Sequence, residues 1–395
     1  MRNVRLFDIG RTLFIVSIVL SSGSVFNILY SGVVTSVLVL SVILLLIENK
    51  KTAVPKNIFA LLVAVGVFLI FQSVVLDVSS IARTIKIIIK MILIFLGTVC
   101  LVNKQEDIFK SLYKILFVIT VPSFLVYLFI AFGVPVPEFY IPEQNYYSIL
   151  FLNVRDLYSG LAGSGIRLPR NFGVFWEPGL YQIFLNLLLG WQINKDERNI
   201  AKEVFIIINI ALTFSPTGYL TAMFLYATRI ALKKRDFKVI LSIIGFSIVL
   251  ALIMPKILEF LSFKATTDSY STRMTDFILG FQTFIKHPII GVGIEGQTYQ
   301  NAFYSLTGRM HGNTNGLIRI AMDFGIAGLL FYIRFFCLLF KKTRIEYSMG
   351  FGVAVIVWLV CSLINEPIHF SALIMFLMAY AFCNYANKTQ VEREL

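Results

Sequence analysis

Charged side chains are scarce in this chain: Asp, Glu, Lys and Arg make up 14% of its 395 residues, against 57% hydrophobic ones. Soluble domains carry roughly a quarter of their residues charged, so a soluble reading is excluded. Histidine is scarcer still, at three copies (His287, His311, His369), and no carboxylate cluster stands at ligand spacing beside any of them. No metal is therefore expected. The four cysteines, Cys100, Cys337, Cys361 and Cys383, form no CxxC pair and lie within or at the ends of apolar runs, as small packing residues do. Internal repeats are lacking too, and with them the doubled architecture of most transporters.

What the chain has in abundance is apolar sequence, in runs of about 17 to 22 residues that each match the thickness of a bilayer core. It reads as an all-α polytopic membrane protein, a single integral membrane domain over residues 1–395. About twelve transmembrane helices are expected, at 12–29, 33–47, 58–76, 81–102, 112–132, 179–193, 204–214, 217–232 and 239–257, then three more after 315. The basic N-terminus looks like a signal sequence, but a second apolar run follows at once, so an uncleaved first helix is expected. Alternating the spans puts both termini and the basic runs at 50–51, 104–114, 195–202, 233–238 and 341–344 on one side, which is thereby cytoplasmic. Retention of Lys and Arg there accounts for the net charge of +13, and no nucleic-acid partner is implied. Two long loops, 133–171 and 258–315, and the turn at 365–369 then face outward. Loops this long are expected to contain short helices, in the second at 273–286.

The outward loops carry the chemistry. Arg155, Arg167, Arg170, Lys256, Lys264, Arg273, Lys286 and Arg309 fall there, against the positive-inside trend. Guanidinium groups grip phosphate oxygens through paired hydrogen bonds, so the set fits an anionic lipid-linked substrate. The competing reading is headgroup contact, or pairing with Glu138, Glu143, Asp156, Asp268 and Asp276. Arg83, Lys86 and Lys90 share one face of the fourth span. A charge at mid-bilayer costs about 3 kcal/mol, so this stripe is expected to face a cavity or a phosphate, Arg83 alone lying near enough to the helix end to snorkel. Arg319 and Asp323 enter an apolar helix four residues apart and must be buried against a partner or a wet cavity. Glu177 begins a helix, where it serves either as dipole partner or as a group that orients an arginine or accepts a proton. Glu366 invites the same two readings, with His369 close behind. His311 is positioned to take a proton from a sugar hydroxyl, with Asn313 or Asn315 holding the acceptor, whereas His287 beside Pro288 reads as structural.

In order, these features resemble the O-antigen polymerase and O-antigen ligase superfamily. The resemblance rests on Arg273, then His287-Pro288-Ile289-Ile290-Gly291-Val292-Gly293, then His311 with Asn313 or Asn315, then Phe324-Gly325 in an apolar helix. A second stretch, RNFGVFWEPG from Arg170 to Gly179, is similar to the family's segment at the outer end of a helix. Here Gly312 follows His311 where the family often has asparagine, and Pro216 stands where many members carry arginine. The resemblance implies a metal-independent, GT-C-like membrane glycosyltransferase without cofactor, in the bacterial inner membrane with its site facing the periplasm. Its donor and acceptor would be undecaprenyl-pyrophosphate-linked oligosaccharides, and a chain-length regulator protein and membrane lipid are candidate partners. On that reading His311 or Glu177 is the base and Arg273, Arg170 and Arg309 hold the pyrophosphate, supported by Arg167, Arg319 and the stripe of Arg83, Lys86 and Lys90. Tyr140, Tyr146, Tyr147, Trp176, Glu366 and the two asparagines would hold the glycan, the aromatics by stacking on sugar faces. The long first outer loop favours a polymerase; ligation to lipid A core and flipping of lipid-linked oligosaccharides are the alternatives.

Overall fold

A computed structural model describes residues 6–49, 54–76, 80–141, 144–155, 169–195, 197–232, 268–294, 301, 304–305 and 312–383. The described chain is mainly helical: α1 (Leu6–Leu20), α2 (Val25–Leu29), α3 (Ser31–Glu48), α4 (Lys56–Leu76), α5 (Ile81–Asn103), α6 (Ile108–Ala131), α7 (Pro178–Asn194), α8 (Ile200–Leu212), α9 (Pro216–Leu232), α10 (Asp268–Lys286), α11 (Gly316–Glu346), α12 (Met349–Asn365) and α13 (Ala372–Phe382). Among them α3, α4, α5, α6 and α11 are long and apolar enough to cross a membrane, and α12 and α13 are apolar but shorter. This is a multi-pass membrane protein. Polar residues set the helix starts: the side chains of Asp107, Asn199, Asn315, Ser348 and Ser371 each accept a hydrogen bond from a backbone N–H of the first turn.

Two helices make the centre. Every residue of α7 from Leu180 to Ile193 is buried, as is all of α13. Helices without a polar face occupy the middle of a bundle, and the amphipathic ones surround them. Trp358 on α12 donates its indole N–H to the Ile183 carbonyl of α7 at 2.7 Å, joining α12 to that centre. At one end of the bundle Lys342 donates to the carbonyls of Tyr380 and Cys383, at 2.8 and 2.9 Å, and Tyr347 donates to Asp107. The opposite end carries the polar loops.

The structure corrects the expected fold in two places. The single span expected at 12–29 is two helices, because the chain turns at 21–24 before α2. The loop at 133–171 holds a β-meander rather than short helices: β1 (Glu138–Ile141), β2 (Gln144–Ile149), β3 (Leu152–Arg155) and β4 (Arg170–Gly173), all antiparallel in that order. Tyr, Phe, Ile and Val recur through these segments and suit a half-buried pleat. Leu150 and Phe151, at φ 50° and 64°, form the two-residue turn between β2 and β3. That turn is anchored by Phe151 packing edge-on against Phe26, 4.9 Å between centroids. The helix expected at 273–286 is present as α10, and the span expected at 239–257 lies outside the described residues.

The feature that most shapes the polar end is a break in α11. Gly325 sits at φ 64°, ψ −155°, a region open essentially to glycine alone. The break frees backbone groups that lipid cannot satisfy. The segment after α10 satisfies them: Val292 and Gly293 donate to the carbonyls of Met322 and Asp323 at 2.9 and 3.0 Å, and Ile326 donates to Pro288 at 2.7 Å. Gln72 of α4 adds bonds of 2.6 Å to the carbonyls of Ile290 and Asp323. The backbones approach so closely that a Cβ on Gly325 would lie 2.5 Å from the Ile289 oxygen, and one on Gly291 would lie 2.4 Å from the Asp323 carbonyl carbon. Gly325→Ala is accordingly expected to destabilise the protein by about 2 kcal/mol or more. Gly32→Ala, whose Cβ meets nothing within 4 Å, is expected to be neutral or slightly stabilising. Thermal melts in detergent check the pair; equal melting temperatures would contradict the assigned strain.

Candidate functional site

Four segments converge at the polar end. β4 runs through Trp176 into Glu177, whose extended backbone and the Pro178 that follows it start α7. α12 ends at Glu366, and the loop at 312–315 leads into α11. α10 docks on that loop through Asp276, which is fully buried. The Asp276 carboxylate accepts from the backbone N–H and hydroxyl of Thr314 at 2.9 and 2.6 Å, while Asn313 donates to the Asp276 carbonyl at 2.7 Å. A Cβ on Gly280 would lie 2.2 Å from the Ile318 side chain, so α10 and α11 can be this close only because that residue is glycine.

Glu177 does not cap α7 with its side chain. It shares a hydrogen bond with Glu366 instead, and the charges of Arg273 and Arg170 act on it. The Glu366 carboxylate lies directly over Gly179, where a Cβ would be 2.1 Å from Oε1. That places negative charge in the first turn of α7, where the helix dipole favours it. Two carboxyls joined by a hydrogen bond hold at least one proton between them. Burial pushes the Glu177 carboxyl above the usual carboxylate range, and the hydrogen bond to Glu366 and the charges of Arg273 and Arg170 oppose this without cancelling it. Glu177 Oε1 is closed off from solvent and has no hydrogen-bond partner among the described residues. The arrangement is a proton-sharing carboxyl pair beside an arginine that stays exposed on α10.

The other expected site residues have varied surroundings. Arg170 lies near Glu177, but its guanidinium also donates to the carbonyls of Thr213 and Phe214, at 2.9 and 3.2 Å, and so caps the end of α8. Asn315 caps α11, and Asn313 accepts from the Asn315 N–H at 2.8 Å, so both amides are occupied in shaping the loop. Arg83 and Lys86 are exposed on α5, and Lys90 reaches the Ser21 carbonyl at the end of α1, at 3.4 Å. Trp176 packs beside Val25 and Phe172, and Tyr147 is partly buried in β2. His287 is exposed next to the joint. Arg167, Arg309 and His311 lie outside the described residues, as do the side chains of Arg155, Tyr140 and Tyr146. Arg319 and Asp323 do find partners: Arg319 Nε lies 3.3 Å from Asp323 Oδ2, and His369 Nε2 lies 3.1 Å from the same oxygen. The partnership of Asp323 with His369 was not legible beforehand, nor was Gln72, although a lone glutamine in an apolar span was a signal.

Apolar helices around a buried centre, one of them broken and carrying charge, define a polytopic membrane protein with a polar site at one end of its bundle. Residues 204–333 match the family model described as O-antigen ligase, and that description agrees with the superfamily that the motifs resemble. The matched stretch runs from α8 into α11 and includes Arg273, the joint at 288–293 and both asparagines; Glu177 and Glu366 lie outside it. No curated protein sequence matches the chain.

A carboxyl whose pKa is higher in the folded than in the unfolded state favours the fold while protonated, and that contribution is lost as pH rises through the folded pKa. Glu177→Gln, neutral at every pH, is therefore expected to melt above wild type in alkaline buffer, with the gap closing in acid. Melting curves across pH check this, and a gap that widens in acid would contradict it.

Proposed function

We propose that the chain is an O-antigen polymerase that joins undecaprenyl-pyrophosphate-linked repeat units on the outer face of the bacterial inner membrane. The observation that carries this reading is the carboxyl pair of Glu177 and Glu366, with Arg273 brought beside it by a helix of the family-matched segment. A sugar hydroxyl of the acceptor attacks the anomeric carbon of the donor. The new glycosidic bond forms as the bond from that carbon to the pyrophosphate oxygen breaks, and undecaprenyl pyrophosphate leaves as the anion. The hydroxyl proton passes to a carboxylate of the pair, and the burial that raises the Glu177 carboxyl above the usual carboxylate range favours its holding a proton. Arg273, with Arg170 behind it, supplies fixed positive charge where the leaving group gains negative charge, so no metal is required for that task. His311 is retained as a second candidate base. Ligation to lipid A core is the second reading, because the matched family is described as ligase. The two share the donor chemistry and differ in the acceptor.

Removing one charge-stabilising group at such a centre costs about 100-fold or more in rate. Cells lacking the gene and complemented with Arg273→Ala, at wild-type membrane levels, are expected to lose the glycan ladder while keeping a single repeat on lipid A core. Loss of all surface glycan with lipid-linked polymer accumulating would make the protein a ligase. A full ladder from Arg273→Ala would overturn the site.

A further inference from the structure

We propose that Asp323 is a positioning residue for the pair of Glu177 and Glu366, acting through His369; this rests on reading that pair as the transfer site. Asp323 is fully buried within α11, and the backbone joint at Gly325 does not use its carboxylate. The break at Gly325 is secured by main-chain groups, and the Asp323 contribution to it is a carbonyl that any residue would supply. Buried ion pairs are weak stabilisers, because desolvation offsets the attraction and apolar residues often serve the fold as well. Here Oδ1 is also buried with no hydrogen-bond partner among the described residues, a further penalty. A carboxylate kept under those conditions has another task.

The geometry indicates which. Asp323 Oδ2 meets His369 Nε2 at 3.1 Å and Arg319 Nε at 3.3 Å. His369 belongs to the short turn between α12 and α13 that begins with Glu366. Within it Ile368 donates to the Glu366 carbonyl and Ser371 to that of Ile368, both at 2.8 Å, so the turn is one hydrogen-bonded unit. α11 grips this unit at His369 from two sides, by Asp323 on the imidazole and by the Tyr332 hydroxyl on the carbonyl. Gly316, at the start of the same helix, lies against the Glu366 carbonyl oxygen, where a Cβ would be 2.5 Å away. α11 also receives α10, and with it Arg273, through Thr314 and Asp276. Asp323 thus sets the Glu366 carboxyl in register with the arginine that α10 brings to it. Displacing a reacting group by an ångström typically costs about 100-fold, so a loss of this kind is the scale to expect.

The test is infrared spectroscopy on the full chain in nanodiscs, alongside melting and transfer assays with lipid-linked repeat units. Two hydrogen-bonded carboxyls give a protonated-carboxyl band, assigned to the pair by its loss in Glu177→Gln. In Asp323→Asn and His369→Gln that melt like wild type, the band is expected to shift, and kcat to fall between about 10- and 100-fold with KM within about twofold. If Asp323→Asn does not fold, His369→Gln carries the same test. A band unmoved in a folded variant overturns the positioning role, whatever the activity. A shifted band in a protein whose wild type transfers no sugar supports the positioning role while the polymerase reading fails.

Discussion

The structure depends on a backbone joint. In a membrane interior an interrupted helix is tolerated only if its freed N–H and C=O groups find partners inside the protein. α11 is interrupted at Gly325, and the segment from Pro288 to Gly293 together with Gln72 supplies those partners. The joint therefore does two things at once. It allows a charged half-helix to sit at the end of the bundle, and it docks the chain leaving α10, the helix that bears Arg273. Glycines at 291 and 325 are what allow the two backbones to touch.

Charge at this end is organised by the same helix. Arg319 and Asp323 pair in the interior with His369 against the same carboxylate oxygen, while Glu177, Glu366 and Arg273 gather at the end of α7. On the proposed reading, an arginine and a proton-sharing carboxyl pair held on helices present fixed groups to a phosphate leaving group and a hydroxyl without costly reorganisation. The carboxyls lie outside the family-matched segment and the arginine within it, so the site is assembled between that segment and the rest of the bundle.

Much of the helical framework was legible from composition, because apolar runs of bilayer length permit few other structures. The β-meander was not: its alternating aromatic and polar residues in 138–155 read as sugar-stacking chemistry, and only the pairing of Glu138 with Tyr147 and its neighbours shows them forming a sheet. Gly325 reads as part of the Phe324-Gly325 motif in an apolar helix and not as a break, since local pattern does not distinguish a close-packing glycine from one at a break. Glu177 and Glu366 were each recognisable at a helix end. Their meeting depends on α7, α11 and α12 converging, a tertiary fact with no sequence period. Asn313 and Asn315 looked like acceptor-holding amides, and in the structure their oxygens accept from the backbone of the turn that starts α11.

The central claim is that glycan transfer occurs where Glu177, Glu366 and Arg273 meet. A cryo-electron-microscopy structure of the full chain with undecaprenyl pyrophosphate bound tests it most directly. The account predicts the pyrophosphate against the Arg273 guanidinium, with the carboxyl pair facing the terminal phosphate, the one that bears the sugar in the donor. Pyrophosphate bound at the opposite end of the bundle, near Lys342 and Tyr347, would contradict it.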